Sequence, residues 1–112
     1  QYGVAKHATI HGMQVLTAAG GGSLSGILNA MSHVMDEGHA IYQMSIGSAT
    51  NSLWDYTVEH VTANDIIVVV ATGNAGGDGC DYSPGSASDA LNVGAHDDNG
   101  NIASFSNTGS CV

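Results

Sequence analysis

The chain has 112 residues, which limits it to one domain or to part of one. It has one lysine, no arginine and ten acidic residues, which give a formal net charge of −9. This charge argues against nucleic acid and anionic membrane surfaces as partners, because both are bound through cationic side chains. No apolar run is long enough to predict a membrane-spanning helix.

Strand-like and helix-like patterns alternate in the first half of the chain. Residues Gly12–Leu16 predict a strand, and the glycines Gly20, Gly21 and Gly22 interrupt regular structure. Ser23 or Ser25 then suits the first position of a helix that ends at Gly38. One face of this helix is apolar, because apolar residues recur every three or four positions at Leu24, Ile27, Leu28, Met31, Val34 and Met35.

A second strand and a second helix follow in the same rhythm. Residues Ala40–Ile46 predict the strand, and Thr50 or Asn51 is the predicted cap of the helix. The apolar positions of this helix are Leu53, Trp54, Val58 and Val61, and the helix should end near residues 64–65.

The apolar run Ile66–Ala71 predicts a third strand, and Asn74 lies three residues beyond it. Six apolar residues without alternation indicate a strand buried on both faces, as in a parallel sheet. Ligands of open α/β sheets bind beyond the carboxyl ends of the strands, so Asn74 occupies a favourable place for chemistry. A turn-forming role is the simpler alternative for this residue.

The remaining residues are rich in turns, with short strands predicted near 90–95 and 102–105. The βαβαβ order predicts an α/β fold with a parallel sheet and right-handed crossovers. The glycine-rich loop 73–79 suggests a nucleotide-binding domain as an alternative function. Its spacing matches no phosphate-binding motif, and no helix is predicted after it. Cys80 and Cys111 remain open to a disulfide, free thiols or metal ligation.

A set of short segments carries more information in its order than any member does alone. The segments are Tyr2–Lys6, Val15–Leu16, Ser45–Gly47, Ala71–Asn74, Tyr82–Pro84, Asn92–Ala95 and Ala103–Asn107. Together they resemble the middle of a subtilisin-like serine protease of the subtilase family, nearest the proteinase K and aqualysin branch. The resemblance covers essentially the whole chain and implies a three-layer, parallel-sheet α/β fold, of which this chain is a part.

The resemblance implies that residues 1–112 are an internal segment of a catalytic domain. The family motifs that carry the catalytic Asp, His and Ser lie outside this segment. Asn74 matches the asparagine of the oxyanion hole, whose amide donates a hydrogen bond to the negative oxygen of the tetrahedral intermediate. The implied activity is therefore that of a serine endopeptidase, with the segment inactive by itself. The alternatives are a non-catalytic, protease-like module that binds peptides and, less favoured, the nucleotide-binding domain.

The resemblance also implies a groove for a polypeptide substrate. Gly20, Gly21 and Gly22 match one edge strand, and Ser45, Ile46 and Gly47 match the other, so that the substrate becomes the middle strand. Leu24 matches the wall of a more distant apolar subsite. One side of the pocket for the residue before the cleaved bond matches Ala71, Thr72 and Gly73. Thr72 and Ser48 depart from the usual Ala and Gly, which predicts an altered pocket.

Further expectations follow from the same resemblance. Cys80 and Cys111 match a disulfide-bonded pair of aqualysin-like proteins, which agrees with a secreted protein. The backbone carbonyls of Ser88 and Ala90 match ligands of a structural calcium ion, whose carboxylate ligand would lie one residue past Val112. No cofactor is needed for the chemistry. The protein's own propeptide or protein inhibitors are further expected partners. Without the flanking elements, apolar surface beside the Ile66 strand should be exposed, so the segment is not expected to fold reliably alone.

Overall fold

The structure is a computed structural model that describes residues 3–112. Its elements, in chain order, are α1 (Leu24–Asp36), β1 (Ile41–Met44), β2 (Ser48–Ala49), α2 (Ser52–Thr62), β3 (Ile67–Ala71), a 3₁₀ turn (Gly79–Asp81), β4 (Tyr82–Ser83) and β5 (Leu91–Val93). Within this range no helix is both long and apolar enough to span a membrane.

Three strands form a parallel sheet in the order β1-β3-β5. Ile41 is opposite Ile67, and Leu91 is opposite Val69, so β3 is the central strand. Strands β2 and β4 form a separate antiparallel pair, in which Ser48 lies opposite Ser83. The predicted α/β class with a parallel sheet is therefore confirmed.

Helix α1 begins and ends where its sequence predicts. The Ser23 hydroxyl accepts a hydrogen bond from the Gly26 N–H at 3.1 Å, so Ser23, not Ser25, is the cap. Gly38 follows the helix with a φ of +68°, and the His39 N–H donates to the Val34 carbonyl. A left-handed residue at this position is the common way to satisfy the last carbonyls of a helix.

Helix α2 is capped by Asn51, whose side-chain oxygen accepts hydrogen bonds from the Leu53 and Trp54 N–H groups. Trp54, Val58 and Val61 are buried as predicted. Leu53, the other apolar position of this helix, is 54% exposed. It directly precedes Trp54, and adjacent residues of a helix are turned about 100° apart around its axis.

The core lies between the two helices and one face of the sheet. Met31, Val34, Val58 and Val61 of the helices pack with the buried residues of β1 and β3. Full burial of an aliphatic side chain contributes about 1.5–3 kcal/mol relative to exposure, so these contacts dominate the stability of this unit.

The other face of the sheet is open in the described chain. The sequence predicted burial of β3 on both faces, but among residues 3–112 it is buried on one. Val68 and Val70 are buried, whereas Ile67 is 55% exposed, because both helices pack on the same side. The expected exposure of apolar surface beside this strand is confirmed by Ile41, Leu91 and Val93 as well. The described residues thus supply the sheet and one helical layer.

Two of the predicted strands do not form. Residues 12–16 have no ladder partner among residues 3–112 and are irregular. Residues 102–105 make a single bridge, between Ile102 and His96, and then turn sharply, with the Ser106 N–H donating to the Ala103 carbonyl at 2.9 Å. Apolar composition favours a strand, but the strand also requires a neighbouring strand to pair with.

Candidate functional site

A pocket of about 330 Å³ lies beyond the carboxyl ends of β1 and β3. Its walls include three predicted sets, Ser45–Gly47, Ala71–Gly73 and Asn74, together with Tyr82 and Ser83. The first two sets are separated along the chain but adjoin in space because β1 and β3 pair in parallel and end at the same edge. The fold therefore brings the predicted oxyanion donor and two predicted pocket walls together.

A second pocket, of about 590 Å³, continues from the first. It is lined by Gly20–Gly22 and Leu24 on one side and shares Ser45–Ser48 with the first pocket. Trp54 and Ile27 are among its other lining residues. Every residue predicted to contact the substrate thus lines one of two adjoining pockets, although no described strand pairs with Gly20–Gly22.

Gly22 approaches its neighbours more closely than the other two glycines. A Cβ atom at this position would lie 2.4 Å from the Val15 carbonyl oxygen, whereas Gly20 and Gly21 have no atom within 4 Å of such a Cβ. Gly20 and Gly21 form a turn with Thr17, whose N–H donates to the Gly21 carbonyl at 2.9 Å. Gly22 is therefore required by packing, while its neighbours leave the groove edge open.

The Asn74 side chain is exposed at the rim of the first pocket. The hydrogen bonds of its loop, as far as residues 3–112 are described, involve neighbours of Asn74 and leave its amide unused. An amide that is not engaged elsewhere can donate to a ligand without first breaking an internal bond.

The loop that carries Asn74 is held by a second segment of chain, 105–109. Gly76 donates its N–H to the Phe105 carbonyl at 2.8 Å, and Gly79 donates to the Thr108 carbonyl at 2.7 Å. In the opposite direction, the Thr108 N–H donates to the Gly77 carbonyl. The loop is therefore fixed by backbone hydrogen bonds although it has no strand or helix of its own between residues 73 and 77.

Thr72 is one of the two positions expected to alter the pocket, and its hydroxyl is already bonded within the protein. Thr72 is buried, and its Oγ1 donates to the Asn107 carbonyl at 3.3 Å. The other position, Ser48, is exposed and donates its hydroxyl to the Ala49 carbonyl. Both residues line the first pocket. That they alter its shape stays a prediction.

Cys80 and Cys111 form a disulfide, with Cα atoms 5.3 Å apart. Cys80 lies in the 3₁₀ turn Gly79–Asp81. The Cys80 N–H donates a hydrogen bond to the Asp78 carboxylate at 2.9 Å. The bond joins the end of the Asn74 loop to the segment just after residue 109, and so it adds a covalent link to the hydrogen bonds between the same two segments.

The glycine-rich loop does not offer the free amides that phosphate binding needs. The N–H groups of Ala75 and Gly77 both donate to the Asn107 side chain, and that of Gly76 donates to a carbonyl. Only a three-residue 3₁₀ turn follows, which cannot supply the dipole of a helix N-terminus. This geometry argues against the nucleotide-binding alternative.

The groups with a shifted pKa lie outside both pockets. Burial raises the pKa of the Tyr42 phenol, and hydrogen bonds from the side chain and backbone of Asn101 lower the pKa of Asp97 in an exposed turn. The Asn74 amide at the rim of the first pocket does not titrate. Its capacity to donate a hydrogen bond is therefore independent of pH.

Ser88 and Ala90 lie away from both pockets, in the turn that leads into β5. The carbonyl oxygen of neither residue accepts a hydrogen bond from the described part of the chain. Backbone carbonyls of this kind are ordinary calcium ligands, and Asp89 between them carries an exposed carboxylate. Among residues 3–112, no group of three or more acidic, histidine or cysteine side chains could hold a metal ion, so calcium binding at this turn would depend on these backbone oxygens and on Asp89.

Comparison with known proteins agrees with this geometry. A family model described as the subtilase family matches residues 1–112. The chain belongs to the subtilase family. It is 39% identical to "Subtilisin-like protease 2" of Pseudogymnoascus destructans and 38% identical to "Extracellular serine proteinase" of a Thermus species, over 99% of this chain in both cases.

A solved structure titled "Crystal structure of a cold adapted subtilisin-like serine proteinase" superposes on this subtilase chain with a TM-score of 0.96 and 32% identity. The alignment covers 100% of this chain and 42% of the solved one. The two curated relatives are also longer, since this chain spans 28% of each. The subtilisin-like fold inferred from the ordered motifs is therefore confirmed.

The sequence does not indicate the contribution of Tyr82, Trp54 and Asn107 to the site. Tyr82 lines the first pocket and Trp54 the second, but the sequence suggested only a motif position for Tyr82 and a core position for Trp54. In the sequence, Asn107 is only the last residue of the motif Ala103–Asn107. No local pattern indicates that its side chain reaches the loop 73–77, because the two segments are about 30 residues apart.

Proposed function

We propose that the longer protein containing this chain is a secreted subtilisin-like serine endopeptidase, which hydrolyses peptide bonds through an acyl-enzyme intermediate. Residues 1–112 are an internal segment of its catalytic domain, and the catalytic Asp, His and Ser are supplied by segments outside it. Membership in the subtilase family and the names of the protease relatives support this proposal.

The observation that carries the proposal is the unbonded Asn74 amide at the rim of a pocket of about 330 Å³. When the nucleophile attacks, negative charge develops on the former carbonyl oxygen of the substrate. A neutral donor that is already in place stabilises this oxygen without reorganisation, and the effect is strong where water is excluded. Asn74 has both properties among the described residues: an unbonded side-chain amide and a place at the rim of the first pocket.

The groove between the two glycine-containing segments supports a peptide as the substrate. An extended peptide placed between Gly20–Gly22 and Ser45–Gly47 would pair its backbone with both, as in β-augmentation. The first pocket, bounded by Ala71–Gly73, would then receive the side chain that precedes the cleaved bond. Leu24 would contact a side chain further from that bond. The protein's own propeptide or a protein inhibitor would use the same groove.

A secreted location is part of the proposal. The Cys80–Cys111 disulfide is typical of proteins that leave the reducing cytoplasm. The Thermus relative is itself named an extracellular proteinase. The net charge of −9 favours solubility of such a protein outside the cell.

The endopeptidase proposal is tested on the longer protein in two steps. Its sequence is first read for the family motifs that carry the catalytic Asp, His and Ser. The purified protein is then titrated with a serine-directed phosphonate while hydrolysis of a peptide p-nitroanilide is followed. We expect one label per molecule, on the motif serine, and loss of hydrolysis in proportion to labelling. A protein that lacks the three motifs and binds peptides without cleaving them would instead be the non-catalytic module.

We further propose that the carbonyls of Ser88 and Ala90 hold a structural calcium ion, which takes no part in the chemistry. Calcium prefers oxygen ligands of this type. An ion present at 100 times its dissociation constant would stabilise the protein by about 2.7 kcal/mol. We expect calcium, compared with magnesium, to raise the Tm and to slow amide hydrogen exchange in peptides covering 87–91. Unchanged exchange in these peptides would contradict this assignment.

A further inference from the structure

Asn74 lies in an exposed loop without regular secondary structure, so another part of the protein must hold its amide in place. We propose that Asn107 is a positioning residue for Asn74. This role rests on the proposed function, because it concerns the placement of the oxyanion donor. Asn107 itself would not touch the substrate, since it is 1% exposed and lies beneath the loop.

The Asn107 side chain bonds the loop on both sides of Asn74. Its Oδ1 accepts hydrogen bonds from the Ala75 N–H at 3.0 Å and the Gly77 N–H at 3.1 Å. Its Nδ2 donates to the Thr72 carbonyl at 2.8 Å. The backbone just before Asn74 and the backbone just after it are therefore tied to one buried amide group.

The backbone and nearest neighbours of Asn107 strengthen the same connection. The Asn107 N–H donates to the Gly73 carbonyl at 3.1 Å, and the Asn107 carbonyl accepts a bond from the Thr72 hydroxyl. Gly73 has a φ of +100°, and a Cβ atom there would lie 2.6 Å from Asn107 Nδ2. The glycine thus permits the close approach that lets the amide reach the carbonyl on its far side.

The pattern of bonds selects an asparagine at this position. Two N–H donors and one carbonyl acceptor of the loop require a side chain that accepts and donates at once. Aspartate keeps the acceptor oxygen for Ala75 and Gly77 but, when ionised, has no donor for Thr72. Alanine loses all three bonds and leaves the buried Thr72 carbonyl and two partly buried N–H groups without these partners, which is unfavourable.

The test compares kcat and KM of the longer protein with those of its Asn107→Ala variant. We expect kcat to fall by about 10–100-fold, because a displacement of about 1 Å at a reacting group has effects of this size. KM should stay within about threefold, since the backbone bonds of residue 107 to Gly73 and Thr72, which support that wall of the pocket, survive the substitution. Asn107→Asp should show a smaller fall in kcat. Asn29→Ala, at an exposed position of α1, is the matched control and should leave both parameters unaltered.

A double variant separates positioning from general destabilisation. If Asn107 acts through Asn74, the Asn74→Ala/Asn107→Ala variant should have about the same kcat as Asn74→Ala alone, because coupled residues are not additive. An Asn74→Ala variant with undiminished kcat would overturn the proposed function. A diminished Asn74→Ala variant whose loss multiplies fully with that of Asn107→Ala would overturn only the positioning role.

Amide hydrogen exchange gives a readout that does not depend on catalysis. In the phosphonate-inhibited longer protein, Asn107→Ala should speed exchange at least tenfold in peptides that contain Ala75 and Gly77, as expected when their hydrogen bonds are lost. Asn107→Asp retains both acceptor bonds, so exchange at these amides should change less. Exchange in peptides of α1 and β3 should be unaltered. Unchanged exchange in the loop of Asn107→Ala would overturn the inference.

Discussion

Replacing Asn74 with alanine should lower kcat of the longer protein by about 10²–10³ and leave KM nearly unchanged. The loss corresponds to about 2.7–4 kcal/mol of transition-state stabilisation, a magnitude taken from the oxyanion asparagine of a subtilisin. The Asn74 amide stabilises the transition state but not the bound substrate, because the oxygen that it contacts becomes negative only after nucleophilic attack. Ground-state binding relies on the groove walls, which Asn74→Ala does not alter.

The measurement is steady-state hydrolysis of a peptide p-nitroanilide, with active sites counted by phosphonate titration. Asn29→Ala on the exposed side of α1 serves as the control for replacing an asparagine with alanine. Affinity for a peptide aldehyde, whose adduct carries an oxyanion-like oxygen, should weaken along with kcat in Asn74→Ala. A variant that keeps the parental kcat would show that Asn74 only shapes its turn.

Removal of the disulfide should lower the free energy of unfolding by about 3–4 kcal/mol in the Cys80→Ser/Cys111→Ser variant. The bond joins residues 31 positions apart, and the chain-entropy model gives this stabilisation for a loop of that length. It also links the two segments that hold the Asn74 loop, so loss of the bond should increase opening of the loop itself.

The free energy of unfolding is measured by denaturant unfolding of the longer protein. The protein is first inhibited with the phosphonate so that it cannot digest itself. A reducing agent provides the matched control, because it should destabilise the parent protein and leave the double-serine variant unchanged. Hydrogen exchange in peptides covering 73–79 should also rise in the variant. A change in unfolding free energy below about 1 kcal/mol would contradict the expected contribution.

Local patterns were sufficient for the helices and for the three main strands. The cap at Ser23, the C-terminal Gly38 and the spacing of Ile27, Met31 and Val34 define α1 through interactions within one or two turns. Such interactions depend on nearby residues, so they can be read directly from the chain. The same applies to Asn51 and the start of α2.

The errors concern elements whose state depends on distant partners. Residues 12–16 have strand-like composition but no neighbouring strand among those described, and residues 102–105 form one bridge and a turn. The uniform apolar run of β3 indicated burial on both faces. Among residues 3–112 the strand alternates, with Val68 buried and Ile67 exposed, because both helices lie on one side of the sheet and no described helix covers the other.

The sequence by itself determined the family, the α/β class, the cysteine pair and the set of residues expected along the groove, because ordered motifs retain this information. Tertiary structure alone decided that Ser45–Gly47 and Ala71–Asn74 share a pocket, and that Asn107 bonds the loop around Asn74. Both results depend on contacts between segments about 30 residues apart. Such contacts arise from strand pairing and chain reversal, which leave no periodic signal in the residues that make them.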